Sequence, residues 1–89
     1  MRAIATVVGK DQVGIIAAVC IKLAEYNVNV LDISQTVLQG YFTMMMVLDV
    51  SECTVPLSQF CTEMDEMGKS RNLSIRVQRE DIFEAMHKV

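Results

Sequence analysis

Basic residues are few and scattered in this chain. Eight Lys and Arg stand against eleven Asp and Glu in 89 residues, giving a net charge of −3 and a pI near 4.9. Neutralising nucleic-acid phosphates takes a basic stripe, so no direct nucleic-acid partner is expected. Cysteine is equally sparse: Cys20, Cys53 and Cys61 are odd in number and show no CxxC spacing. The pattern therefore indicates neither a disulfide framework nor a zinc site. Histidine occurs once, at His87, with no cluster of metal-binding residues at ligand spacing beside it. No metal, cofactor or catalytic role is assigned. No uninterrupted apolar run reaches the roughly 18 residues of a membrane helix. Met1-Arg2-Ala3 leads into a strand-like run rather than a signal-peptide pattern. A cytoplasmic chain with no membrane partner is expected.

What is abundant is apolar surface. Hydrophobic residues make up 52% of the sequence, and the mean hydropathy is +0.32. A single domain over residues 1–89 is expected, and a chain this size buries only about 60–65% of its unfolded surface. Residues 2–9 read as a strand closed by Gly9. Asp11 is a strong N-cap type ahead of an apolar helical pattern over 12–26, which puts Gly14 at the third helical position. Glycine there weakens its own helix by about 0.5–1 kcal/mol, which suggests close approach of a backbone or ligand. Ile16, Val19, Cys20, Leu23 and Ala24 keep helical spacing, and Asn27 can take a left-handed cap.

Residues 29–39 and 41–50 read as strands joined at a tight Gln39-Gly40 hairpin. Phe42, Met44, Met46, Leu48 and Val50 point one way, so Met44-Met45-Met46 is packing rather than a soft-metal site. Pro56 suits the first turn of a second helix with an apolar stripe of Leu57, Phe60, Cys61, Met64 and Met67. Its wet side carries Glu63, Asp65 and Glu66, and Gly68 reads as its stop. Leu73, Ile75 and Val77 alternate with polar residues in a last strand, and a short terminal helix follows.

The order βαββαβ predicts an α+β, ferredoxin-like sandwich: two helices on one face of a four-stranded antiparallel sheet, plus a short C-terminal helix. Its second sheet face and the spare apolar surface of the first helix predict self-association, a homodimer or larger. Asp32 is a candidate to pair with Lys or Arg, and Gln35 to bridge strands at an interface.

Asp11-Gln12-Val13-Gly14-Ile15-Ile16-Ala17, Leu23-Ala24-Glu25 and Asn29-Val30 resemble the signature of the ACT domain family of amino-acid metabolism. Ile33-Ser34-Gln35-Thr36, Phe42-Thr43-Met44 and Ile82-Phe83-Glu84-Ala85-Met86 resemble free-standing prokaryotic members, related to the paired ACT domains of the glycine-cleavage repressor. The resemblance implies a non-enzymatic regulatory module that binds a small molecule, such as an amino acid, near the first helix turn at a dimer interface. It would act on a separate metabolic enzyme or regulator. Carried over residue by residue, the ligand-binding candidates are Asp11, Val13, Gly14, Ile15, Asn29 and Val30. A helix N-terminus favours a carboxylate, and Asp11 or Asn29 would accept from an α-ammonium group.

Three other readings are weighed. Many members carry proline where Val13 stands and glycine where Asn27 stands, and Asp11 brings a negative charge to the turn. Val13 and the charge of Asp11 favour an interaction or oligomerisation module without a ligand. An acylphosphatase-like hydrolase would need an arginine in the first loop. That loop offers only Lys10, and no arginine lies between Arg2 and Arg71. A metal-transfer domain would need a CxxC there, and the loop has no cysteine.

Overall fold

The structure is a computed structural model, and it describes residues 1–10 and 14–87. The elements are β1 (Arg2–Lys10), α1 (Ile15–Glu25), β2 (Asn29–Leu38), β3 (Tyr41–Asp49), α2 (Leu57–Ser70), β4 (Ser74–Arg79) and α3 (Glu80–His87). The four strands form one antiparallel sheet in the order β2-β3-β1-β4. This is the ferredoxin-like arrangement expected from the pattern, with β2 and β4 as edges.

Alternation decides the sheet's two faces. Ala3, Ala5 and Val7 of β1, with Phe42, Met44, Met46 and Leu48 of β3, point into one core with Ile15, Val19 and Leu23 of α1. Phe60 and Met64 of α2 close the same core, and Ile75 adds to it from β4. Met45, between two fully buried methionines, is exposed on the other face. Tyr41 and Thr43 share that face and are exposed too. The hairpin turn has positive φ at both central residues, 52° at Gln39 and 81° at Gly40, the geometry that matches the twist of paired strands. Asn27 takes the left-handed cap after α1 at φ 59°.

Three expectations are corrected. Helix α1 starts at Ile15, and Gly14 is its N-cap at φ 87°, so Asp11 is not the N-cap and Gly14 is not a third helical residue. Glycine is suited to this position by its backbone conformation, since any other residue pays a steric penalty there. The buried face of α1 is Ile15, Val19 and Leu23, whereas Ile16, Cys20 and Ala24 of the expected stripe are exposed. Gly68 does not end α2, which continues to Ser70. It is buried where α2 meets the start of β4: a Cβ would lie 2.9 Å from the Leu73 carbonyl oxygen and 3.0 Å from Ile75 Cγ1. The turn after α2 is made by Asn72 at φ 59°.

Candidate functional site

Chain direction separates the expected site residues. Strand β1 runs to Lys10, which pairs with Tyr41, and Tyr41 pairs with Leu38. Helix α1 begins at that end of the sheet and runs back, so β2 starts at the far end, where Asn29 pairs with Asp49. Gly14 and Ile15 therefore stand at one end of the molecule and Asn29 and Val30 at the other. The eleven residues of α1 between them span about 16 Å at 1.5 Å per residue. Ile15 is buried in the core, while Gly14, Asn29 and Val30 are exposed. Asp11 and Val13 lie outside the described residues. A single chain does not bring the two groups together.

The start of α1 suits an anion. Gly14 makes no side-chain cap, no acidic residue occupies the first turn, and the first helical hydrogen bond runs from Ala18 N–H to the Gly14 carbonyl. A helix start of this kind has N–H groups aimed outward. At the other end of α1, Lys22 sits 5.4 Å from the centre of the Tyr26 ring, and Tyr26 packs edge-on against Phe60 at 5.9 Å. The Tyr26 hydroxyl donates to Glu63, and this bond to a carboxylate pushes the phenol up to about 12. Glu63 is therefore not on the wet side of α2: it is half-buried, and its Oε2 is enclosed without a partner. Helical period put Glu63 among exposed acids because that period does not register the aromatic side chain arriving from α1.

Strand β2 is unusual in that all ten of its residues are exposed. Pairing with β3 places Val30, Ile33, Gln35 and Val37 on the helix side of the sheet, opposite Leu48, Met46, Met44 and Phe42. Their β3 partners are buried, so the helices cover β3 and leave β2 bare. A register shift at Leu31 interrupts the ladder between Val30 and Asp32. Asp32 pairs with no Lys or Arg among the described residues. Its Oδ1 accepts from the Ile33 N–H at 2.8 Å. A shallow hollow of about 200 Å³ where β1, β3 and β2 run side by side is lined by residues Ile4, Asp32–Ser34 and Met45–Val47. It contains none of the expected ligand residues.

No group of metal-binding side chains occurs among the described residues. Burial raises the Cys61 thiol, whose Sγ lies 3.5 Å from the Val77 carbonyl. No helix among the described residues is long and apolar enough to cross a membrane.

The family model of the ACT domain matches residues 2–78. A UPF0237 protein of Listeria innocua is 52% identical over 89 residues, covering all of both chains. One from Clostridium acetobutylicum is 53% identical over the same span. Among solved structures, an ACT domain protein from Streptococcus pneumoniae is 46% identical with a TM-score of 0.82, covering 94% of each chain. A candidate glycine cleavage system transcriptional repressor has a TM-score of 0.74 at 21% identity, over 88% of this chain and 44% of that one. That second likeness is one of fold. By family model, full-length relatives and fold together, this chain belongs to the ACT domain family, generally regulatory ligand-binding modules.

Proposed function

We propose that this chain is a sensor of a small amino acid or related metabolite, binding it between two copies and passing the signal to a separate enzyme or regulator. The observation that carries the reading is the split of Gly14 and Ile15 from Asn29 and Val30 to opposite ends of one chain. Antiparallel association along β2 would set the Asn29 end of one copy beside the α1 start of the other. The outward N–H groups around Gly14 and Ile15 would then take a carboxylate. Asn29 of the second copy would accept from the ammonium group, with Asp11 as a further acceptor, and Val13 and Val30 would line the apolar wall.

Regulation follows from differential affinity. A ligand bridging two copies favours the arrangement in which both halves of the site meet, by as much as it prefers that arrangement. A second reading is an oligomerisation module without a ligand, favoured by the bare apolar edge at β2, which needs no ligand to attract a partner.

A thermal-shift screen of the twenty amino acids separates the two. A ligand at about 100 times its dissociation constant stabilises by roughly 2.7 kcal/mol. For a domain this size each kcal/mol raises the melting temperature by about 4–8 °C. The expected result is a shift with one chemical class of amino acid, lost in Asn29→Ala. No shift with any of them at millimolar concentration overturns the sensor reading.

A further inference from the structure

The carboxylate of Asp32 is answered by no cation among the described residues. No Lys or Arg occurs from Leu23 to Gly68, so β2 and β3 carry none. Elsewhere on the sheet, Glu80 holds Arg2 at 3.0 Å and Asp81 holds Arg79 at 2.7 Å. The Met1 ammonium lies against Asp49 instead, at 3.9 Å. Asp32 Oδ1 takes the Ile33 N–H at 2.8 Å, and Oδ2 stays open.

The shift in the β2–β3 ladder decides where that carboxylate points. Val30 stands opposite Leu48, so regular pairing would set Leu31 opposite Val47 and Asp32 opposite Met46, on the helix side. The extra residue at Leu31 instead brings Asp32 opposite Val47 and Ile33 opposite Met46. A bulge of this kind re-aims the side chains that follow it. Here it keeps a charge off the side of the fully buried Met46 and turns it to the face of Met45 and Val47.

On that face the carboxylate stands at the rim of the hollow between β1, β3 and β2. Asp32 and Ile4 both pair with Val47, from opposite sides, and Ser34 pairs with Met45. Alternation puts these five side chains together. Ile4, Met45 and Val47 make an apolar floor, and Asp32 and Ser34 a polar rim along β2. The hollow holds about 200 Å³, somewhat more than the roughly 150 Å³ that takes one benzene ring. One long side chain fits it. A free metabolite would be poorly held, since small-molecule sites enclose most of their ligand. Exposed apolar side chains continue along the same face: Met45 at 39%, then Val8 at 39% and Tyr41 at 57%. Such a continuation marks contact with another protein surface, and an unbranched methionine adapts to one readily.

We infer that the hollow receives a lysine side chain, flanked by apolar residues, from a partner protein. The lysine stem lies along Ile4, Met45 and Val47, and its ammonium reaches Asp32 Oδ2, with the Ser34 hydroxyl as a second acceptor. Chemistry narrows the choice to lysine. An acidic group would meet the charge of Asp32, and a purely apolar plug would strip water from that carboxylate and return no hydrogen bond. Arginine matches both oxygens of a carboxylate at once, but here Oδ1 already serves the Ile33 N–H. A compact ammonium needs only the one that is open. The inference names the surface through which the chain meets the separate enzyme or regulator of its proposed function, and rests on that reading only for this use. Docking itself requires no amino acid.

The test is an amide NMR titration of the isotope-labelled full chain, without amino acid. The probe is the capped peptide Ser-Leu-Lys-Leu-Ser, compared with versions carrying arginine, norleucine or glutamate at the centre. The expected result is a set of shift changes centred on Ile4, Asp32, Ser34, Met45 and Val47. The lysine peptide should bind about threefold more tightly than the norleucine peptide, the size of an exposed ion pair, and the glutamate peptide more weakly than both. Asp32→Asn, a change at an exposed site, should abolish the preference for lysine over norleucine. No shift at these residues with millimolar peptide overturns the inference, and so does a preference that survives Asp32→Asn. Tighter binding of the arginine peptide overturns the assignment to lysine. Butylamine binding as tightly as the lysine peptide overturns docking in favour of a free amine. The same shifts on concentrating the chain alone overturn it in favour of a second copy. An amino-acid thermal shift in a chain that ignores the peptides leaves the sensor reading standing, and a chain that docks the peptide without such a shift loses only the sensor reading.

Discussion

Gly14, which caps helix α1, and Asn29, which opens strand β2, lie at opposite ends of the molecule, separated by the length of α1, about 16 Å. In sequence they look like neighbours flanking one helix. In space, one small amino acid cannot touch both within one chain. The second copy in the proposed site answers the crossover connection itself. A helix linking two parallel strands must return the chain to the starting end of the sheet.

Gly14→Ala is expected to lower stability by about 1 kcal/mol, because φ 87° is a conformation that side-chain-bearing residues adopt at a cost. Among the described residues beyond its chain neighbours, nothing lies within 4 Å of the added Cβ, so the cost is the local backbone conformation and not a clash with the rest of the fold. Gly14→Asn should lose less than Gly14→Ala in denaturant unfolding, since asparagine tolerates the left-handed region.

Gly68→Ala should cost more, about 1–3 kcal/mol, for a different reason. Its Cβ would press on the Leu73 carbonyl oxygen at 2.9 Å, and backbone cannot swing aside as a side chain does. The alanine that normally favours helix is here unfavourable, which a melting curve reads directly.

Phe60→Ala removes a fully buried ring and the edge-on partner of Tyr26. The expected loss is about 3–5 kcal/mol, a large part of the stability of a domain this size.

Two aspartates set the acid response. The Ser51 hydroxyl and N–H hold the Asp49 carboxyl below its ordinary range, and the Arg79 guanidinium does the same for Asp81. A depressed carboxyl contributes stability that is complete above its unfolded value, about 3.9, and is lost as pH falls through the lower folded value. Stability should therefore decline below about pH 4, and Asp49→Asn with Asp81→Asn should flatten that decline. Tyr26 has the opposite sense. Its phenol is raised to about 12 by Glu63, so its contribution is complete below about pH 10 and is lost as pH climbs toward 12. Tyr26→Phe should remove that alkaline limb.

Much of the fold is legible in the sequence where one face of an element differs from the other. Strand β3 alternates between Met44 and Met46 inside and Met45 outside, and the Gln39-Gly40 turn carries its own signature. Helix α1 is harder, because residues 15–21 are all apolar and periodicity alone cannot say which of Ile15 and Ile16 faces inward. The start of α1 is misread for a related reason: a capping side chain at Asp11 is a familiar signal, whereas a left-handed Gly14 leaves none. Gly68 looks like a stop, since a close approach to β4 is invisible until the chain has folded back. The two halves of the candidate site are legible as residues, but their separation emerges only from the path of α1 between them.

The most direct measurement of the central claim is a calorimetric titration, with whichever amino acid shifts the wild type, of two defective variants alone and mixed. Gly14→Ala adds a methyl group at one half of the site, and Asn29→Ala removes the polar group at the other. If the site is shared between copies, each variant alone binds weakly, and mixing restores binding in the heterodimers, where one site keeps both native halves. No recovery on mixing, with both variants folded and dimeric, would contradict a site shared between two chains.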